Sequence, residues 1–169
     1  MGFIRDQEEA MRSTKGFSLI ELLIVVAIIL VIAAIAIPSF LRSRISANES
    51  VAAATVRTLN TAQISYNSAY PTVGFASTLG ALSGDCTSTL PSSTAACLID
   101  TQLATGIRSG YNFTLTNVTG TPSSTYNAIA SPVLYNYSGV RYFCSYADAV
   151  VRVSLTAITT CDGTVPPQN

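Results

Sequence analysis

From Phe17 to Ile37 the chain reads FSLIELLIVVAIILVIAAIAI, and only Ser18 and Glu21 in it are polar. At ~1.5 Å per residue such a helix is about 31 Å long, the thickness of a bilayer core. A helix apolar on every side must be buried in lipid or in protein. The run also explains the composition. Only 11% of residues are charged, against about a quarter in a soluble domain. The remainder is rich in Ser, Thr, Ala and Asn. Arg12 and Lys15 precede the run, which places that end in the cytoplasm and the rest outside. Composition alone leaves three readings open. A secretory signal peptide is one, with Ala34-Ile35-Ala36 as a small-residue cleavage site, although the run exceeds the usual 7 to 15 residues. A permanent anchor is the second, although Glu21 within a span costs about 2.5 to 3.5 kcal/mol. The third is something more specific built around Glu21.

Charge and residue inventory exclude several classes of function. Nine basic residues balance nine acidic ones, and no run of Lys or Arg follows residue 44. Neutralising nucleic-acid phosphates takes clustered cations, so no nucleic-acid binding is expected. The chain has no histidine, which removes Ser-His-Asp and Cys-His catalysis. Beyond the helix the acids Asp85, Asp100, Asp148 and Asp162 are far apart in sequence, which gives paired-carboxylate chemistry no support. No phosphate-binding glycine loop occurs. We therefore expect no enzyme, no cofactor and no metal. Four cysteines, at 86, 97, 144 and 161, form no CxxC pair. Behind an export signal they read as disulfides in an oxidising compartment.

Lys15-Gly16-Phe17-Ser18-Leu19-Ile20-Glu21-Leu22-Leu23 resembles the signature of type IV prepilins and type II secretion pseudopilins. The resemblance implies that a membrane prepilin peptidase cuts between Gly16 and Phe17. It also implies that the new Phe17 amine is N-methylated. The apolar helix then stays on the mature protein, with Glu21 fifth in it. Pro38 falls where many pilins carry a helix-kinking proline. The resemblance also implies an inner-membrane assembly platform and a helical homo-oligomeric filament. It departs at the leader, where Asp6, Glu8 and Glu9 offset the cations. Translation from Met11 would give the short basic leader MRSTKG.

The physical role expected of Glu21 follows from its setting. A buried carboxylate protonates or finds a cation. Cleavage creates one, the Phe17 amine of a neighbouring subunit. Such a pair need not add net stability, but leaving one member alone is expensive. It therefore favours one stagger of the subunits over others.

Beyond Pro38, which bends or locally melts a helix, Leu41, Ile45, Ala52, Val56, Leu59 and Ala62 or Gln63 recur at helical spacing. Arg42, Arg44, Glu49, Arg57 and Asn60 fall largely elsewhere. Arg42 and Arg44 read as solvated charge, as contacts to lipid headgroups, or as partners of Glu49 or another acid on an adjacent subunit. The spacing predicts one helix from about Ser18 to Tyr66, ended by Tyr70-Pro71. Phe17, Phe40, Tyr66 and Tyr70 are expected to serve packing. Residues 69–110 read as a loop region with short turns near 76–82 and 98–103. Strands are predicted at 111–118, 126–130, 140–146 and 150–157. The fold class is thus α+β: a long N-terminal hydrophobic helix whose C-terminal half packs on a small antiparallel sheet. The organisation is leader 1–16, apolar half-helix 17–38, amphipathic half-helix 39–68, loop region 69–110, and sheet with tail 111–169. The order Gly110-Tyr-Asn-Phe, Tyr126 with Pro132, and Gly139-Val-Arg-Tyr-Phe resembles the C-terminal domains of some pilins and pseudopilins. Sequence proximity favours Cys86–Cys97 and Cys144–Cys161 among the three pairings. The functions that follow are a type IV pilus subunit on the cell surface, a pseudopilin of a periplasmic secretion filament, or a membrane-tethered exported binding domain. In each, the precursor crosses the inner membrane once.

Overall fold

The computed structural model describes residues 16–85, 87 and 90–168. It divides into two units, Met1–Ser39 and Phe40–Asn169. Helix α1, Leu19–Ala69, contributes to both. In the first unit its side chains are exposed almost throughout, from Leu19 to Ile37. Pro38 lies inside the helix. It lacks the N–H that would bond the Ala34 carbonyl, yet the helical assignment is unbroken from Leu19 through Phe40. Local melting at Pro38 is therefore not seen.

The second unit is a half-helix packed on a sheet, and the fold is α+β. After α1 come two single turns, α2 (Leu79–Leu82) and α3 (Thr101–Ala104). Five strands follow: β1 (Ile107–Arg108), β2 (Tyr111–Gly120), β3 (Ser123–Pro132), β4 (Tyr142–Tyr146) and β5 (Arg152–Ser154). They pair antiparallel in chain order. The two-residue β1 lies inside the stretch expected to be loop. The expected last strand is cut to three residues, because the chain beyond it turns back as a tail.

The buried face of α1 comprises Ala52, Ala53, Val56, Leu59, Ala62 and Tyr66, in one cluster with Tyr111, Phe113, Tyr126, Ala128, Ala130 and Phe143. Alanines on both sides let helix and sheet approach closely. The face starts later than the periodicity predicted: Leu41 is exposed and Ile45 half-buried. Asn60, expected outside it, is buried. Its amide donates to the Ala149 carbonyl at 2.9 Å, and its oxygen accepts from the Tyr126 hydroxyl at 3.1 Å. Burial, reinforced by the Asp148 charge, pushes that hydroxyl up to about 12. It therefore stays a protonated donor across the ordinary pH range.

β3 is buried on both faces because its alternate residues face different layers. Tyr126, Ala128 and Ala130 meet the helix, while Ile129 meets Cys144 and Cys161. Cys144 and Cys161 are disulfide-bonded, which pins the C-terminal segment over the outer face. Cys97 is also disulfide-bonded, and Cys86 lies outside the described residues. The tail covers the edge of β5: Val153 N–H donates to Pro166 and Gln168 N–H to Val151, at 3.0 and 2.9 Å. At the other side of the sheet, β1 pairs only with Tyr111 and Asn112 of β2.

Asp148 and Arg152 hold the turn before β5 with two hydrogen bonds of 3.0 and 2.6 Å. The guanidinium also lies 4.4 Å from the centre of the Tyr146 ring. Burial works to raise the Asp148 carboxyl. The hydrogen bonds from Arg152 and the Val150 amide, with the Arg152 charge, outweigh it and hold the group below the usual carboxylate range. A depressed folded value means stability present above the unfolded value of about 4 and lost as pH falls through the folded one. Thermal melts from pH 7 to pH 2 should show that loss in the parent chain. In Asp148→Asn the melting temperature should be lower at pH 7 and fall less steeply below pH ~4.

Candidate processing and assembly site

The N-terminal turn of α1 carries the residues singled out by the motif. Phe17 is 83% exposed, and Gly16 precedes it outside any helix or strand. A Cβ built on Gly16 meets no atom within 4 Å among the described residues. Nothing in the described fold therefore requires glycine at that position. Residues 1–15, which include Arg12, Lys15 and both candidate starts, lie outside the described residues.

Glu21 is engaged within its own chain. The backbone N–H of Ser18 donates to Glu21 Oε2 at 3.1 Å, and Leu22 N–H donates to the Ser18 carbonyl at 3.2 Å. Ser18 thus sits at the cap position before Leu19, and Glu21 reaches back to it as the acidic member of a capping box. The first N–H groups of a helix have no helical partner, and a carboxylate there also complements the helix dipole. The motif Ser18-x-x-Glu21 was visible in the sequence as a capping signal but was not used. So two roles converge on this carboxylate. It caps the helix start by accepting from Ser18, the residue next to Phe17, whose amine the motif's cleavage would free.

The apolar run has a mean hydropathy of 3.3 over its richest 18 residues, none of them buried, which is long and apolar enough to cross a membrane. Phe17 and Phe40 are exposed, whereas Tyr66 packs in the core with its ring 5.0 Å from that of Tyr70. Glu49 is not available to Arg42 or Arg44 of a neighbour, because it accepts from the Val140 and Arg141 amides at 2.9 and 3.1 Å and pairs with Arg141 at 3.6 Å.

The first unit is thus an exposed apolar helical segment headed by a capping box, long and apolar enough to cross a membrane. Comparison with known sequences narrows the reading. A family profile described as the prokaryotic N-terminal methylation motif matches residues 11–37. The type IV wide pilus major component PilA4 of Thermus thermophilus is 57% identical over 44 residues, covering 26% of this chain and 34% of that protein. The type IV major pilin protein PilA of Myxococcus xanthus is 50% identical over 52 residues, 31% of this chain and 24% of that protein. The N-terminal segment is thus similar to that of type IV major pilins and carries the prokaryotic N-terminal methylation motif. The match spans about a third and a quarter of the length of those two relatives. No solved structure matches the chain.

Proposed function

We propose that the chain is a prepilin that matures into the structural subunit of a type IV pilus. A prepilin peptidase removes the residues up to Gly16, the Phe17 amine is methylated, and an assembly platform in the inner membrane receives the subunit. Residues 17–38 lie in the bilayer beforehand and in the filament core afterwards. The transfer exchanges one apolar surrounding for another, so it changes apolar exposure little. Glu21 pairs with the Phe17 amine of the adjacent subunit and sets the stagger. Pro38 supplies a point at which the helix can bend as copies pack. Cys86 pairs with Cys97 in the loop region. The observation that carries this reading is an almost wholly exposed apolar helical segment headed by one carboxylate four residues after Phe17.

Intact mass of the exported product tests it. The expected mass is that of residues 17–169 plus one methyl group, with both cysteine pairs oxidised. Gly16→Val should leave the fold unchanged and block cleavage, so that full-length precursor accumulates in the membrane. Product that keeps residues before Phe17 in the parent chain, or begins well past Ile37, would overturn the proposal. Abundant filament sheared from the cell surface separates a pilus from a short periplasmic secretion filament, in which shearing yields none.

A further inference from the structure

The second unit carries a groove of about 340 Å³, lined by Arg44 and Asn48 of α1, by Ile107, and by Val133, Leu134 and Tyr137 of the β3–β4 loop. Those four large apolar side chains are each more than half exposed. The loop that presents them is firmly held. Asn48 Nδ2 donates to the Ser138 carbonyl at 3.0 Å, Val133 N–H to the Gly110 carbonyl at 2.9 Å, and the Ser138 hydroxyl to the Leu134 carbonyl at 3.0 Å. Gly139 packs so closely on the Tyr111 hydroxyl that a Cβ there would collide with it. The apolar display is therefore a fixed surface of the fold.

Its charge is one-sided. Arg42 and Arg44 are exposed, and among the described residues neither has an acidic partner. No acid lines the groove. Among the described residues, every carboxylate of the second unit already accepts a hydrogen bond within its own chain. Glu49, Asp100 and Asp148 are paired with arginines, while Asp85 and Asp162 accept from Thr87 and Thr164. One arginine without an acidic partner, three aliphatic side chains and a tyrosine are the chemistry that settles at a bilayer surface, with rings and stems in the headgroup layer and the charge on a lipid phosphate. The chain also limits where the groove can be. Arg44 follows Ile37 by seven residues, a reach of at most about 25 Å, and about 10 Å as helix.

We propose that, in the subunit held in the membrane, this groove lies on the bilayer surface and takes an anionic phospholipid headgroup through Arg44, with Ile107, Val133, Leu134 and Tyr137 in the interfacial layer. This rests on residues 17–38 spanning the bilayer. The contact orients the second unit on the membrane before the subunit is taken into a filament.

The chain contains no tryptophan, so a single introduced one reports its own surroundings. The full-length chain would be reconstituted in vesicles of phosphatidylcholine, with or without phosphatidylglycerol, carrying brominated acyl chains. Three reporters are compared: Leu134→Trp in the groove, Ile28→Trp in the apolar run, and Leu90→Trp. Leu90 is 90% exposed and lies three residues from Ser93, whose carbonyl accepts from Tyr66, about 33 Å along α1 from Arg44. Leu134→Trp should be blue-shifted and quenched when phosphatidylglycerol is present, and Leu90→Trp should not. Arg44→Gln should weaken that lipid dependence about fivefold. Quenching of Ile28→Trp without quenching of Leu134→Trp overturns the docking surface alone. A blue shift at Leu134→Trp that is unquenched and vanishes as protein is diluted in lipid overturns it in favour of a second copy. An unquenched Ile28→Trp overturns the membrane span itself.

Discussion

Glu21→Ala should be cleaved and inserted like the parent chain, yet give about one hundredth of the sheared filament, because removing one member of a buried ion pair costs about 3 to 5 kcal/mol and every 1.4 kcal/mol is tenfold in an equilibrium. The structure adds a complication and a way around it. Glu21 also accepts the Ser18 N–H at 3.1 Å, so alanine removes a helix cap as well as a charge. An acidic group in the first turn contributes about 0.3 to 1 kcal/mol, too little for the expected loss. Glu21→Gln separates the two roles. Glutamine still accepts from Ser18, as capping boxes allow, but offers no charge to a neighbouring amine. If the pair sets the stagger, Glu21→Gln should assemble nearly as poorly as Glu21→Ala while its helix content in detergent, followed by circular dichroism, matches the parent. If Glu21→Gln yields normal filament, the carboxylate matters as a cap, and the inter-subunit pair is wrong. Both variants must reach the membrane in cleaved form for the comparison to count, which fractionation and mass measurement establish.

How far the sequence spoke depended on whether a feature was local. The apolar run is legible because solvent dictates it, and the motif around Gly16, Phe17 and Glu21 because its residues are neighbours. Hairpins at 111–132 follow from alternation and turn residues close in sequence. What was missed depends on distant partners. Asn60 looked like a surface residue until Tyr126 and the Ala149 carbonyl, some 66 and 89 positions away, came to meet it. Leu41 had the right spacing for the buried face, yet the sheet covers the helix only from Ala52 onward, and spacing alone cannot say where a partner stops. The short β1 has too few residues to show alternation, and β5, expected at 150–157, pairs over only three residues. The groove beside Arg44 was invisible for the same reason: it joins the half-helix, Ile107 and residues 133–138, three segments with no sequence relation. At the N-terminus the opposite happened. The cap by Glu21 was fully local and readable, and it was overlooked because the same carboxylate already had a more distinctive part to play.

Gln63→Leu should destabilise the second unit more than truncating any one aliphatic side chain on its edge, by about 2 to 6 kcal/mol, because it strands two buried backbone groups at about 1 to 3 kcal/mol each. Gln63 is fully buried on α1. Its Nε2 donates to the Ala76 carbonyl at 3.0 Å, and its Oε1 accepts from the Ala76 N–H at 2.8 Å. One side chain thus satisfies both polar groups of a buried residue in the chain leaving the helix. That segment then crosses the end of the β2–β3 hairpin. Phe75 N–H donates to the Ser123 carbonyl at 3.1 Å, and the Phe75 ring lies 4.8 Å from that of Tyr126. Leucine has nearly the shape of glutamine, so a packing defect alone would be small. The stranded Ala76 groups should dominate. Gln63→Glu retains an acceptor for the Ala76 N–H but faces the Ala76 carbonyl with a second oxygen, and should also be destabilised. Denaturant unfolding of the mature protein in detergent, followed by tyrosine fluorescence, measures both. Equal stability of Gln63→Leu and the parent would mean that Ala76 finds other partners, and that the turn after α1 is not held by this side chain.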